Sequence, residues 1–319
     1  MKKIALEEHF SGPGFGKYMA VMKGLFEGEV LASMEALLSD FDDKRLKAMD
    51  EAGIEISVLS QTAPGLQAEV DVAFAIESAR RCNDFLFKQI ERHPSRYRGF
   101  ACLPLQDPEA AARELERCVR DYKFVGALVN GHTQGVYLDD KRYWPFWQKV
   151  QELDVPFYLH PMNPFDEPHV YSGRPELNGA VYSWTCETAA HALRLVFGGV
   201  FDNFPGLKLI LGHMGEGLPF MLWRLDSRIK ATPFAKALKR MPSEIIRQHF
   251  VVTTSGACAN NPLLCTVAEL GEDNVMFSVD YPYESSAIAA DFIENVPLSQ
   301  STREKLCFRN AERLLKIRV

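Results

Sequence analysis

The chain has 319 residues, is 47% hydrophobic, and carries a net charge of −6 with its charged residues scattered, so a large buried core is expected and a nucleic-acid partner is not. Seven cysteines, an odd number with no CxxC, read as free thiols of a reducing, cytoplasmic setting. No apolar run approaches the ~20 residues of a membrane span, and Glu7, Glu8 and His9 interrupt the opening apolar stretch too early for a signal peptide, so neither membrane nor secretion is expected.

In chain order, apolar strand runs alternate with helical patterns. IALEEHF (4–10) is followed by a glycine-containing stretch and a helix over Arg45–Ala52. ISVLSQTAP (56–64) precedes a long helix over Ala73–Arg92, and RGFACLPL (98–105) one over Glu109–Asp121. GALVNG (126–131) precedes Trp144–Leu153. VPFYLHP (155–161) leads, after a long loop, to a helix over Thr188–Val200. LKLILGHMG (207–215) precedes Leu218–Lys230, FVVTTSG (250–256) precedes Pro262–Leu270, and NVMFSVDYP (274–282) precedes helical patterns to the end. Eight strand–helix units imply an α/β protein with parallel pairing, and over this length a closed (β/α)8 TIM barrel of one domain, 1–319. Residues 11–42 and 162–187 read as loop insertions on the face where barrels bind substrate. A doubly wound open sheet is the alternative, but SGPGFG (11–16) lacks the GxGxxG spacing that a dinucleotide site needs.

Ionisable residues collect at strand ends: Glu7, Glu8 and His9 on the first, His160 on the fifth, His213 and Glu216 on the sixth, Asp280 on the eighth. In a barrel these ends share one mouth, and buried charge there needs a partner or a metal. Histidine and carboxylate ligands from separate strands suit one divalent ion, Zn²⁺ or Mn²⁺. Strand alternation sets Glu7 and His9 on one face; if His9 faces the mouth, Glu8 lies behind the strand, where it could hold a helix or loop. Each residue also has a bland reading: His160 as a hydrogen-bonded structural histidine, His213 as a core histidine, Glu216 as a first-turn carboxylate, Asp280 as a helix cap. Four such strand ends together favour the metal site. His191, within TAAHALRL, reads as packing; His93 and His249 precede strands and fall at the opposite end. Candidate pocket walls are Phe10, Phe15, Tyr18, Ala63 and Tyr283.

LEEHF, SQTAPGLQ, LPLQDPEAA, FVGALVNG, LDVPFYLHPMNP, LGHMGEGLPFMLWRLD, TTSG and FSVDYPYE span residues 6–284. With these stretches the chain resembles the decarboxylase branch of the amidohydrolase superfamily, which releases CO2 from ortho-hydroxybenzoates such as γ-resorcylate (2,6-dihydroxybenzoate). The resemblance implies a (β/α)8 barrel and one divalent metal held by Glu7, His9, His160 and Asp280. It implies a His213–Glu216 pair beside the metal, and Arg224 near a small aromatic carboxylic acid substrate. It implies a homotetramer or homodimer. The catalytic group expected for such a reaction is Asp280 as proton donor, with His213, held in one tautomer by Glu216, stabilising the phenolate or relaying protons. Hydrolases of the superfamily usually carry His-x-His on the first strand; here it is Glu-x-His. A metal-dependent lactonase or amidohydrolase using the same site is the alternative function.

Overall fold

The structure is a computed structural model, and it describes residues 1–16 and 28–319. Eight parallel strands follow one another in sequence order: β1 Lys3–Phe10, β2 Ile54–Gln61, β3 Tyr97–Ala101, β4 Gly126–Asn130, β5 Phe157–His160, β6 Leu209–Leu211, β7 Phe250–Thr253 and β8 Val275–Met276. The ring closes between β1 and the chain beyond β8, where His9 N–H donates to Tyr281 O (2.7 Å) and Asp280 N–H to Glu7 O (3.1 Å). Ile4, Leu6, Ile56, Val58, Phe100, Leu128, Tyr158, Ile210, Val251 and Met276 form one cluster, the packed barrel interior, and the intervening strand residues join the core beneath the helices.

The longer helices among the described residues are α1 Gly28–Leu38, α2 Lys44–Ala52, α3 Val72–Arg92, α4 Pro108–Asp121, α5 Trp144–Leu153 and α6 Ser183–Phe197, followed by Leu218–Lys230, Pro242–His249, Asn260–Leu270 and Ser286–Asn295. Local chemistry sets several starts. The Asp71 carboxylate accepts from Phe74 N–H, and Asp107 accepts from Glu109 and Ala110 N–H with Pro108 in the first turn. Sequence periodicity missed two helices: α1, inside the first insertion, and Pro242–His249, which shares the approach to β7. The second insertion contains three short 3₁₀ turns, His169–Tyr171, Pro175–Leu177 and Gly179–Val181. No helix among the described residues is long and apolar enough to cross a membrane.

β1 carries an irregularity that decides the site. Ala5 pairs with Ser57 and Glu8 with Leu59, so three residues of β1 advance against two of β2. The extra residue is a bulge, and beyond it the side-chain alternation flips. Ile4 and Leu6 face the interior below it, and Glu7 and His9 face the mouth above it. The Ser278 hydroxyl accepts from both Leu6 N–H (3.2 Å) and Glu7 N–H (2.6 Å), satisfying the successive donors that a bulge aims the same way.

Candidate metal centre and catalytic pocket

Glu7, His9, His160 and Asp280 converge at the mouth, each offering one ligand atom, and these atoms lie within 4.8 Å of one another. Glu7 Oε1 is 3.3 Å from His160 Nε2, and His9 Nε2 is 3.2 Å from Asp280 Oδ1. Among the described residues Glu7 Oε1, His9 Nε2 and Asp280 Oδ1 are buried without a hydrogen-bond partner. Three orphaned polar atoms aimed at one point are costly unless something binds them, and this donor set fits a divalent cation.

The supporting groups prepare the lone pairs. His160 Nδ1–H donates to Pro161 O (2.9 Å), which leaves Nε2 bare, and His9 Nδ1 is partnered by Ser60 Oγ (3.2 Å). Glu7 Oε2 accepts from Tyr158 OH and Ser255 Oγ, and Thr253 Oγ1 links those two hydroxyls at 2.8 and 3.0 Å. Gly212 lets this carboxylate approach: a Cβ there would lie 2.5 Å from Glu7 Oε2. Burial pushes the Glu7 carboxyl up, against the charges of His213 and His9. Burial, together with the neighbouring His9 charge, drives His160 well below its ordinary range, the neutral form a ligand needs.

Beside this cluster His213 Nδ1 donates to Glu216 Oε1 (2.7 Å), and His213 Nε2 lies 3.5 Å from Asp280 Oδ2. Burial lowers the His213 affinity for a proton, but Glu216, Glu7 and Asp280 outweigh it and raise its pKa well above the ordinary value. Burial raises Asp280, yet the neighbouring His213 and His9 imidazoles outweigh it and hold the carboxyl below its usual range. Backbone strain concentrates here: His213 (φ 49°), Met214 (57°), Glu216 (54°) and Asp280 (80°) occupy the left-handed region.

Asp280 and His160 open into a cavity of about 210 Å3, also lined by Ala63, Trp184, Tyr283 and Glu284. Tyr283 OH bonds Thr62 Oγ1 (2.6 Å), and its ring sits 5.8 Å from that of His9. Ala63 and Tyr283 thus stand where the sequence reading put pocket walls. Two other expected substrate contacts lie outside the lining of this cavity. Phe10 lies above the bulge on the Glu8 side of β1, buried at 1% exposure against Phe41 and Phe85 and away from the cavity. Arg224 is exposed on helix Leu218–Lys230, because Leu218 and Leu222 take the inward face of that helix, and it lines no part of the cavity. Phe15 is buried in the core, and Tyr18 falls outside the described residues.

Glu8 points away from the cluster, as alternation required once His9 faced the mouth. It accepts from Val279 N–H (3.0 Å) and Ser278 Oγ (3.2 Å), and burial pushes its pKa up to about 8 despite Val279 N–H and the Arg45 charge. Arg45, on α2, donates to His9 O (2.6 Å) and stacks over Tyr281. Tyr158, Thr253 and Ser255 were missed by the sequence reading. Alternation could have found them, since Tyr158 precedes His160 by two and Thr253 and Ser255 share a face at the end of β7. His191 is buried and accepts from Leu138 N–H; His249 is buried at the opposite end against Leu207 O.

The chain as a whole matches known proteins. The family model described as "Amidohydrolase" matches residues 33–317. The γ-resorcylate decarboxylase of Polaromonas sp. (strain JS666) is 46% identical, with 99% of this chain and 98% of that protein aligned. A solved 2,6-dihydroxybenzoate decarboxylase, in complex with 2,6-dihydroxybenzoate, superposes with a TM-score of 0.94 at 43% identity, covering 99% of this chain and 100% of that one. The dihydroxybenzoic acid decarboxylase of Polaromonas sp. JS666, with bound manganese and the inhibitor 2-nitroresorcinol, superposes with a TM-score of 0.92 at 44% identity, covering 99% and 97%. The chain belongs to the amidohydrolase family, in its decarboxylase branch.

Proposed function

We propose that the protein catalyses metal-dependent, non-oxidative decarboxylation of an ortho-hydroxybenzoate, with γ-resorcylate (2,6-dihydroxybenzoate) the expected substrate, giving the phenol and CO2. The observation that carries this reading is the convergence of the orphaned Glu7, His9 and Asp280 atoms beside a pocket of about 210 Å3. That volume lies below the ~300–1,000 Å3 of drug-sized sites and suits one ring. Glu7, His9, His160 and Asp280 would hold the ion, Mn²⁺ or Zn²⁺, whose chemistry when bound is that of a Lewis acid and a template for the carboxylate and the adjacent hydroxyl oxygen.

The residues of the chain supply the proton. Asp280 reaches both the ligand cluster and the cavity, so it is the group to protonate the ring carbon that bears the carboxylate. His213, with Nδ1 fixed by Glu216, holds the proton and passes it to Asp280. The new C–H bond interrupts the aromatic ring. The C–C bond to the carboxylate then breaks, its electron pair restores the ring, and CO2 leaves. Tyr283 and Ala63 confine the ring while this happens. A hydrolase with the same ligands would instead activate water, and the full-length relatives favour the decarboxylase.

The seven free cysteines suit a reducing cytoplasm. A homodimer or homotetramer is supported by helix Leu218–Lys230, which exposes Phe220 at 86% and Trp223 at 79%. Turnover of 2,6-dihydroxybenzoate in D2O tests the proton-transfer scheme. One deuterium is expected at C2 of the resorcinol formed. Resorcinol formed without deuterium at that carbon would rule out protonation of the ring by an exchangeable group.

A further inference from the structure

Beside the inner cavity lies a second one of about 290 Å3, and Ala63 and Trp184 line both. Its walls are mainly apolar, with Pro64, Met162 and Phe165 beside Gln67 and His132. The Trp184 ring centroid is 6.1 Å from that of His160, at 69°, so the indole stands next to the ligand cluster as part of the partition.

A clasp holds the indole there. Asn163 Oδ1 accepts from Trp184 Nε1–H (2.8 Å), Ser183 Oγ (3.2 Å) and Gly179 N–H (3.2 Å). The Asn163 backbone is tied in turn: His132 Nδ1 accepts from Gly135 N–H (3.2 Å), so His132 carries its proton on Nε2 and donates to Asn163 O (3.1 Å). One side-chain oxygen thus joins the segment after β5 to the start of α6 and fixes the rotation of the indole.

Building on the decarboxylase reading, we propose that Trp184 is a specificity-determining residue that restricts the site to single-ring acids, and that Asn163 is the positioning residue that keeps it in place. The outer cavity is then latent space for an apolar extension, such as the second ring of an ortho-hydroxynaphthoate. Removing the indole joins the two spaces.

The test compares 2,6-dihydroxybenzoate with 1-hydroxy-2-naphthoate on manganese-loaded wild type, Trp184→Ala, Trp184→Phe, Asn163→Ala and the double alanine variant, with metal content measured throughout. Wild type should favour the single ring by more than about 100-fold in kcat/KM, and Trp184→Ala should narrow that ratio at least about tenfold through a lower KM for the naphthoate. Trp184→Phe, which keeps a ring but loses the bond to Asn163, should fall between them. Asn163→Ala should also narrow the ratio, and the double variant should narrow it no further than Trp184→Ala. A ratio within about twofold of wild type in Trp184→Ala overturns the proposal. Equal losses on both acids in Asn163→Ala reduce Asn163 to a structural residue. If neither acid yields CO2 with any protein, the decarboxylase reading fails, and dissociation constants of the two acids measured by calorimetry test the partition separately. The same narrowing then supports it, and an unchanged ratio overturns it.

Discussion

Asp280 has two oxygens in two settings: Oδ1 lies with the candidate ligand cluster and Oδ2 faces His213. Its left-handed backbone, and those of His213 and Glu216, cost roughly 1–2 kcal/mol per residue, which the surrounding barrel must offset. Asp280→Asn keeps a ligand oxygen and removes the exchangeable acid. It should cut turnover by about 100- to 10,000-fold with much less effect on the affinity for an unreactive phenol; near-normal turnover with metal retained removes Asp280 as proton donor. The chemistry of these residues was legible in sequence because ligand types ended four strands. The contact assignments were less so. Phe10 follows His9 directly, but adjacency along a strand sends it to the other face, against Phe41 and Phe85. Arg224 belongs to a stretch of strong resemblance, yet in the folded chain it stands on the exposed side of its helix.

At the scale of elements, the bulge in β1 is the feature that sequence did not reveal. Alternation carried upward from Ile4 and Leu6 points Glu8 and Phe10 inward; only the extra residue turns Glu7 and His9 to the mouth. Its hydrogen-bond partner, Ser278, lies 271 residues from Glu7 in the chain, beyond the reach of any local pattern. Ser278→Ala leaves two buried N–H groups unpaired at about 1–3 kcal/mol each. The melting temperature and the metal affinity should both fall, and an unchanged metal affinity would show that the bulge does not depend on this hydroxyl. The contact between α6 and the segment after β4 carries a pH dependence. His191, on α6, accepts from Leu138 N–H, and burial lowers its pKa to about 3. The unfolded chain binds this proton more readily, so the contribution is full above about pH 6.5 and is lost as pH falls toward 3, at roughly 1.4 kcal/mol per unit. His191→Gln, which can still accept from Leu138 without titrating, should flatten the acid limb of urea-unfolding stability over that window. Parallel limbs for the two proteins would mean that His191 does not drive the loss.

For the whole molecule, the (β/α)8 order was readable because each strand run was apolar and each helix amphipathic, and the structure keeps all eight strands in sequence order. Their lengths were less readable. β8 is a two-residue strand, and the chain beyond it still closes the ring through Tyr281 and Asp280. The insertion 162–187 was expected on the substrate-binding face, but the Asn163–Trp184 clasp has no periodic signature and emerged only from the folded chain. The barrel brings distant strand ends to one point, where three side-chain atoms have no hydrogen-bond partner among the described residues. The account therefore requires that activity follow metal occupancy. The most direct measurement is CO2 release from 2,6-dihydroxybenzoate as metal-stripped protein is titrated with Mn²⁺. The predicted result is equimolar CO2 and resorcinol, with the rate rising to a plateau at one ion per chain. Full turnover in the stripped protein, or none at one bound ion per chain, would contradict it.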